Sequence, residues 1–270
     1  MPSTFPTNLL YCFDNTRMGD DMAAGIYQTI VNDMFLARNK DREPDGFLHP
    51  SSLAGCERQA VYVARGEPVS NDKDIRNIRI MGVGTAIHEA IQEGTIKAYP
   101  GTLVELAVNW GPIRGSADAL LPLGLSTEPA GTYDGVSGGR PQRYELQEYK
   151  SISPNGKRFL QPSRGNGPKH PPRSGGAKPE HIYQARTYYW GLSNQGFLLD
   201  GIRIVYIDRD DWSVLEFEIE PWNALEVVEF EATLDSLQDH IEEGTLPDRK
   251  PDGFWLCDYC DFRKTCKGIE

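Results

Sequence analysis

The sequence predicts one α/β domain over residues 1–270, a mixed sheet flanked by helices, with a helical N-terminal part. Three observations carry this expectation. Apolar residues recur at helical spacing through the first hundred residues. The period then shortens to that of strands, and helix, strands and helix follow in turn. A composition of 39% hydrophobic and 25% charged residues is ordinary for a globular chain, and 270 residues suffice for a real core.

Residues 20–39 read as a helix that ends at the polar, Pro-containing NKDREPDG. SSLAGCERQAVYVAR (51–65) reads as a short helix opened by a Ser cap. From Asp74 to Ala98, Ile80, Ile87 and Ile91 fall at helical spacing, although Gly82 and Gly84 weaken the start. TLVELAVNW (102–110) and IRGSADALL (113–121) are strands joined at Gly111-Pro112. Residues 122–142, rich in Gly and Pro, read as an exposed excursion, and RYELQEYKSI (143–152) returns to strand alternation. A second irregular stretch, 153–179, is followed by a helix from Pro179 to Leu192 with Pro in its first turn. GIRIVYIDRD and SVLEFEIE form a hairpin around Asp210-Asp211. A last long helix starts at Pro221 and carries the core stripe Val227, Phe230, Leu234, Leu237 and Ile241. The compact core is thus expected over 80–245, ahead of a short cysteine-rich tail.

A net charge of −11 argues against a general nucleic-acid coat, because phosphate binding relies on Lys and Arg. It leaves room for an enzyme that binds DNA locally, since local charge sets the field in a cleft and a carboxylate-lined metal site is itself negative. No apolar run reaches the roughly eighteen residues of a membrane span, and the first residues lack the order of a signal peptide. A cytoplasmic protein is expected.

Glu148 and Lys150, two apart on a strand, leave the same face. The acid can ligate a hard divalent cation, and the ammonium can orient the attacking water. The pattern alone is weak: roughly two acid-x-Lys tripeptides arise by chance in such a chain, and Asp248-Arg249-Lys250 is a decoy in a Pro-bounded turn. Read alone, the pair suits a solvated strand face equally well. Asp118, within Gly115-Ser116-Ala117-Asp118 on the preceding strand, adds the second carboxylate that Mg²⁺ or Mn²⁺ requires. By itself it reads as a strand-surface residue, as His88 by itself reads as a capped or core histidine. Gln184 and Tyr188 lie one helical turn apart on one face of the following helix.

Taken in series, His88, Gly115-x-x-Asp118, Glu148-x-Lys150 and Gln184-x-x-x-Tyr188 resemble the motifs of RecB-like PD-(D/E)XK nucleases. The match spans about residues 80–192. The resemblance implies a restriction-endonuclease-like fold, with His88, Asp118 and Glu148 binding the catalytic metal. It further implies that Lys150 acts on the water or the scissile phosphate, and that Gln184 and Tyr188 support the site. Nitrogen ligation by His88 would favour Mn²⁺ over Mg²⁺.

The five cysteines, Cys12, Cys56, Cys257, Cys260 and Cys266, read better as metal ligands than as disulfides in a cytoplasmic chain. By spacing alone, zinc and an iron–sulfur cluster fit Cys257-x-x-Cys260 and Cys266 equally well. With an early cysteine in LAGCERQAVY, the whole pattern resembles the iron–sulfur branch of the RecB-like exonucleases, which includes CRISPR-adaptation, AddB-type and phage enzymes. That resemblance implies a [4Fe-4S] cluster on Cys56, Cys257, Cys260 and Cys266, closing residues 50–66 onto 255–267. It leaves Cys12 as a buried thiol, and it places the protein in a bacterial, archaeal or phage-infected cell.

The stretch 153–179 carries Lys157, Arg158, Arg164, Lys169, Arg173 and Lys178 with no acid, and it begins beside Lys150. Lys157, Arg158 and Arg164 are therefore candidate DNA contacts, with Phe159 and the run Tyr188-Tyr189-Trp190 as platforms for unpaired bases. The expected activity is metal-dependent hydrolysis of DNA at single-stranded ends, and the acidic charge leaves room for a protein partner that delivers the DNA. The rival expectation is a non-catalytic nucleic-acid- or partner-binding module with a structural zinc site.

Overall fold

The structure is a computed structural model that describes residues 26–38, 44–71, 74–125, 132–133, 136–137, 142–165, 174–251 and 255–268. Contacts divide the chain into two compact units at residues 40/41. The first contributes α1 (Ile26–Arg38), whose Ile26, Tyr27, Ile30, Met34 and Leu36 are exposed. The second holds all other elements.

In the second unit a five-stranded mixed sheet is ordered β1-β2-β5-β6-β7. Its strands are β1 (Leu103–Trp110), β2 (Ile113–Leu125), β5 (Gln142–Ile152), β6 (Leu198–Asp208) and β7 (Val214–Ile219). A separate two-stranded ribbon pairs β3 (Thr132–Tyr133) with β4 (Val136–Ser137). Neighbours in the main sheet are antiparallel except β5 and β6, which run parallel and need the crossover helix α6 (Pro179–Asn194) between them. This is a mixed α/β architecture with helices on both faces.

Two apolar layers sandwich the sheet. On one side α4 (Ile75–Ala98) lays Ile87 and Ile91 against Val104, Ala119, Tyr149 and Ile207. On the other side lies the larger core, where α6 and α7 (Ala224–Glu243) bury Tyr188, Trp190, Leu192, Phe230, Leu234 and Leu237 over Val108, Leu146, Ile204 and Tyr206. Ring contacts of Phe230 with Trp190 (5.2 Å) and Trp222 (4.2 Å) tie α7 to its neighbours. α7 begins at Ala224, later than Pro221, because its N-cap Asn223 closes a reciprocal capping box with Glu226.

Two local expectations give way. The helix expected over 51–65 is broken into α2 (Pro50–Leu53) and α3 (Glu57–Arg65), and the turn at Ala54-Gly55 leaves Cys56 as an extended cap rather than a mid-helix residue. The stretch 153–179 is not wholly irregular: α5 (Pro154–Leu160) forms where Ser153 accepts the Gly156 N–H at 3.1 Å and Pro154 opens the first turn. Lys169, Arg173, Cys12 and most of the 122–142 excursion lie outside the described residues. β2 itself extends to Leu125.

Candidate functional site

The two strands that hold Asp118 and its neighbour switch faces at a single cross-strand position. Along β2, Ala117 and Leu120 face the larger core while Ala119 faces α4, and along β1 Leu106 and Leu103 face the larger core while Val104 faces α4. The switch falls at Glu105 and Asp118, which lie between the paired positions Val104–Ala119 and Leu106–Ala117. Glu105 makes it with a left-handed backbone (φ 49°), a conformation that costs a non-glycine residue about 1 kcal/mol or more. Its carboxylate is braced by Gln92 Nε2 (2.7 Å) and Ser116 Oγ (2.8 Å), and the buried Gln92 also donates to the Asp118 carbonyl at 3.0 Å.

The consequence is a wedge. Pairing of β2 with β5 runs from Leu125 to Ala119 and reaches no further toward Asp118. There the Asp118 side chain takes the place of a backbone acceptor, with Oδ2 receiving the Tyr149 N–H at 2.7 Å. Its other oxygen lies 3.6 Å from His88 Nδ1, on the α4 side, and the His88 ring stands edge-on to Tyr149.

Glu148 and Lys150 flank Tyr149 and leave the strand on the opposite face from it, as the two-residue spacing requires. Lys150 Nζ donates to Glu148 Oε1 at 2.6 Å. Glu148 is 1% exposed, and among the described residues its second oxygen has no hydrogen-bond partner. Burial raises its carboxyl to about 7, Asp118 adds to the rise, and Lys150 and His88 oppose it. Burial works to lower the Lys150 ammonium, but Glu148 and Asp118 together raise it, so it stays charged. A buried carboxylate oxygen without a donor is expensive and rare. Among the described residues, however, no three His, Cys, Asp or Glu groups yet converge to hold one ion.

The last motif interlocks with the second. A Cβ on Gly115 would come within 2.8 Å of the Tyr188 ring and 3.2 Å of Pro50, so glycine there makes room for tyrosine. Gln184 is half-buried one turn earlier on α6. Tyr188 and Trp190 are 6% and 9% exposed, and Tyr189 Oη donates to the Leu199 carbonyl. The run expected to stack on bases is therefore core, because α6 is covered by both the sheet and α7. Phe159 is exposed. Lys157 is committed to a buried partner, pairing with Asp208 at 3.6 Å and donating to Ser213 Oγ, while Arg158 and Arg164 lie beside and beyond it in the same stretch.

Residues Cys56, Cys257, Cys260 and Cys266 line one cavity of about 30 Å³. α3 contributes Arg58, Gln59 and Tyr62, and the tail contributes a 3-10 turn (Trp255–Tyr259) and α8 (Arg263–Lys267). The tail is tied down by the Asp261 carbonyl, which accepts the Ser70 and Asn71 N–H groups at 2.9 Å each, and by a stacked Tyr62–Phe262 pair at 5.2 Å. Burial raises the Cys260 thiol, and the neighbouring Cys56 and Cys266 raise it further. Arg58, Arg249, Lys250, Arg263 and Lys267 rim the cavity. Thus Arg249 and Lys250, dismissed above as part of a decoy, belong to the cysteine site.

No family model matches the chain, and neither does any curated protein. A solved structure, "Crystal structure of SSO0001", matches over 88% of this chain and 95% of its own, at 19% identity and a TM-score of 0.47. That likeness is too remote to carry an argument. Among the described residues no helix is long and apolar enough to cross a membrane.

His181, Gln92 and Glu105 are the participants that motif reading missed. His181 bonds Tyr206 beside Lys150. Its signal was present: it lies three residues before Gln184 on the same helical face. Glu105 showed only as one acid in an apolar strand.

Proposed function

We propose that this protein is a metal-dependent deoxyribonuclease of the RecB-like PD-(D/E)XK type, with a restriction-endonuclease-like core, acting on single-stranded DNA ends. The observation that carries the reading is the wedge between β2 and β5. In it Asp118 accepts the Tyr149 N–H and lies 3.6 Å from His88, and Lys150 pairs with Glu148, whose second, buried oxygen has no hydrogen-bond partner among the described residues.

The donor set fits a hard divalent cation. Asp118 and Glu148, with His88, would hold Mn²⁺ or Mg²⁺, and such an ion supplies charge neutralisation and an activated water for phosphodiester hydrolysis. The chain does the rest. The Tyr149 N–H fixes the Asp118 carboxylate. The sheet holds Glu148 away from solvent, where an anion without a cation is disfavoured. Lys150 keeps a positive charge at the wedge, available to a phosphate oxygen.

The cysteine cavity supports a [4Fe-4S] cluster held by Cys56, Cys257, Cys260 and Cys266. Four cysteines line one cavity, although as placed no three of them converge on a single ion, and the five cations that rim it offset the negative charge of thiolate ligation. Its role is structural: it ties a tail to a helix about two hundred residues away. A protein partner that delivers the DNA end would suit the net negative charge.

The test is degradation of end-labelled single-stranded DNA with Mn²⁺ by anaerobically purified protein, wild type against Glu148→Ala and Lys150→Ala. Loss of activity in both variants, with fold and iron content retained, is expected. An inactive wild type, or activity that survives either change, favours a binding module, and a colourless protein with bound zinc would replace the cluster.

A further inference from the structure

His181 sits in the first turn of α6, in a corner built around Tyr206. Tyr206 is the register partner of Lys150 on the adjacent parallel strand and belongs to the same core face. Its hydroxyl accepts the Lys178 backbone N–H at 3.0 Å, and the His181 Nδ1 lies 2.8 Å from the same oxygen. The two rings lie 5.5 Å apart at 33°. The phenol oxygen could accept a second bond, but among the described residues Nδ1 is the one acceptor within reach of its buried O–H, so that O–H donates to Nδ1. That assignment puts the imidazole proton on Nε2. Burial, with Lys150 and Lys178 acting in the same direction, lowers the His181 pKa to about 3, so the ring is uncharged. His181, Gln184 and Tyr188, at spacings of three and four, share one face of α6.

The bond with the buried Tyr206 hydroxyl accounts for Nδ1 and leaves Nε2 to be explained. What Nε2 adds is one N–H donor in a fixed direction. We propose that His181 is a phosphate-binding residue of this cleft, donating Nε2–H to a non-bridging oxygen of the DNA phosphate that Lys150 also contacts, with Tyr206 as the positioning residue that sets its tautomer. The proposal rests on the reading of the wedge as a DNA site, though not on its hydrolysing DNA. Staying uncharged lets His181 sit near Lys150 without weakening it.

The test separates the two readings. Binding of a short fluorescein-labelled single-stranded phosphorothioate DNA is measured by anisotropy with Ca²⁺, and cleavage of the unmodified strand is measured with Mn²⁺. Wild type is compared with His181→Phe, which keeps a ring on Tyr206, and His181→Gln, which restores an amide donor. Loss of a donor to a charged phosphate is expected to weaken binding by about tenfold to a hundredfold in His181→Phe, with substantial recovery in His181→Gln. Tyr206→Phe should fall between them, and ¹⁵N spectra of the imidazole should show the Nε2–H form lost. If DNA binds His181→Phe as tightly as wild type, or if His181→Gln is as weak as His181→Phe, the proposal is overturned. Wild-type binding without cleavage, with the same variant ranking, would sustain the phosphate contact and sink only the hydrolysis.

Discussion

The wedge and the cysteine cavity solve the same problem, holding charged ligands together, by opposite means. The wedge is drawn from neighbouring elements of one sheet, and its geometry is fixed by ladder bonds, by a core on each side, and by Tyr149 and Gln92. The cavity is drawn from the two ends of the larger unit. Among the described residues a few hydrogen bonds, one stacked ring pair and the Arg58 contacts to Pro247 (2.8 Å) and Tyr62 (3.3 Å) hold it before any cofactor binds. A preorganised site spends the stability of its scaffold on chemistry, whereas a site made by closure contributes its binding energy to the fold.

That contrast predicts opposite phenotypes. Glu148→Gln should abolish hydrolysis, by about a thousandfold or more (on the order of 4 kcal/mol of barrier), while melting temperature and iron content stay near wild type. Cys260→Ser should do the reverse: iron and sulfide fall together, and the protein loses several kcal/mol of stability, because metal binding to thiolates is folding energy. Assaying both variants for iron, thermal unfolding and nuclease rate breaks the comparison if Cys260→Ser keeps its stability, or if Glu148→Gln unfolds.

A smaller effect tests how the wedge is backed. Gly115→Ala would drive a methyl into Tyr188 and Pro50, an overpacking cost of about 1–3 kcal/mol, and Tyr188→Leu in the same chain should relieve much of it. Chemical denaturation of the single and double variants reads this directly. Additive losses would mean that the two residues do not interlock.

The sheet was legible because its strands alternate and its helices carry apolar stripes, and the motif residues fell where that pattern put them. The helix break at Cys56 was not legible, since Ser51-Ser52 before an apolar run mimics a cap while the deciding turn is Ala54-Gly55. Nor was the switch of faces at Glu105 and Asp118, which depends on one left-handed residue that propensity gives no reason to expect. Tyr188 and Trp190 were misplaced on the surface because α6 mixes polar and apolar residues around its circumference, and only the later α7 shows what covers its second side. The place of Arg249 and Lys250 beside the cysteines was not legible either, because that cavity forms from residues far away in the chain. Local pattern reports elements well and closure poorly.

The raised Glu148 carboxyl gives a pH signature that the cavity should lack. Because the folded-state value, about 7, lies above the ordinary one near 4.3, the protonated form stabilises the metal-free protein. That contribution is full below the ordinary value and is lost as pH rises through about 7. A metal needs the ionised form, so its apparent affinity should rise about tenfold per unit up to pH 7 and then level off. Isothermal titration with Mn²⁺ from pH 5.5 to 8.5 checks the slope. A flat profile would mean that Glu148 is not a ligand.

The smallest effect concerns the basic stretch, where structure divides three residues that the sequence grouped. Lys157 pairs with the buried Asp208, anchoring α5 against the end of β6, so Lys157→Met should cost roughly 1 kcal/mol or more in stability and leave the salt dependence of DNA binding unchanged. The exposed Arg164 can be removed with stability near wild type in Arg164→Ala, and Arg158→Ala and Arg164→Ala are both read for DNA binding. Each phosphate contact removed should flatten the slope of log affinity against log salt by about 0.7 for a single strand. If Lys157→Met alters the slope as the arginine variants do, the ion pair with Asp208 opens when DNA arrives, and α5 is a moving arm rather than a fixed one.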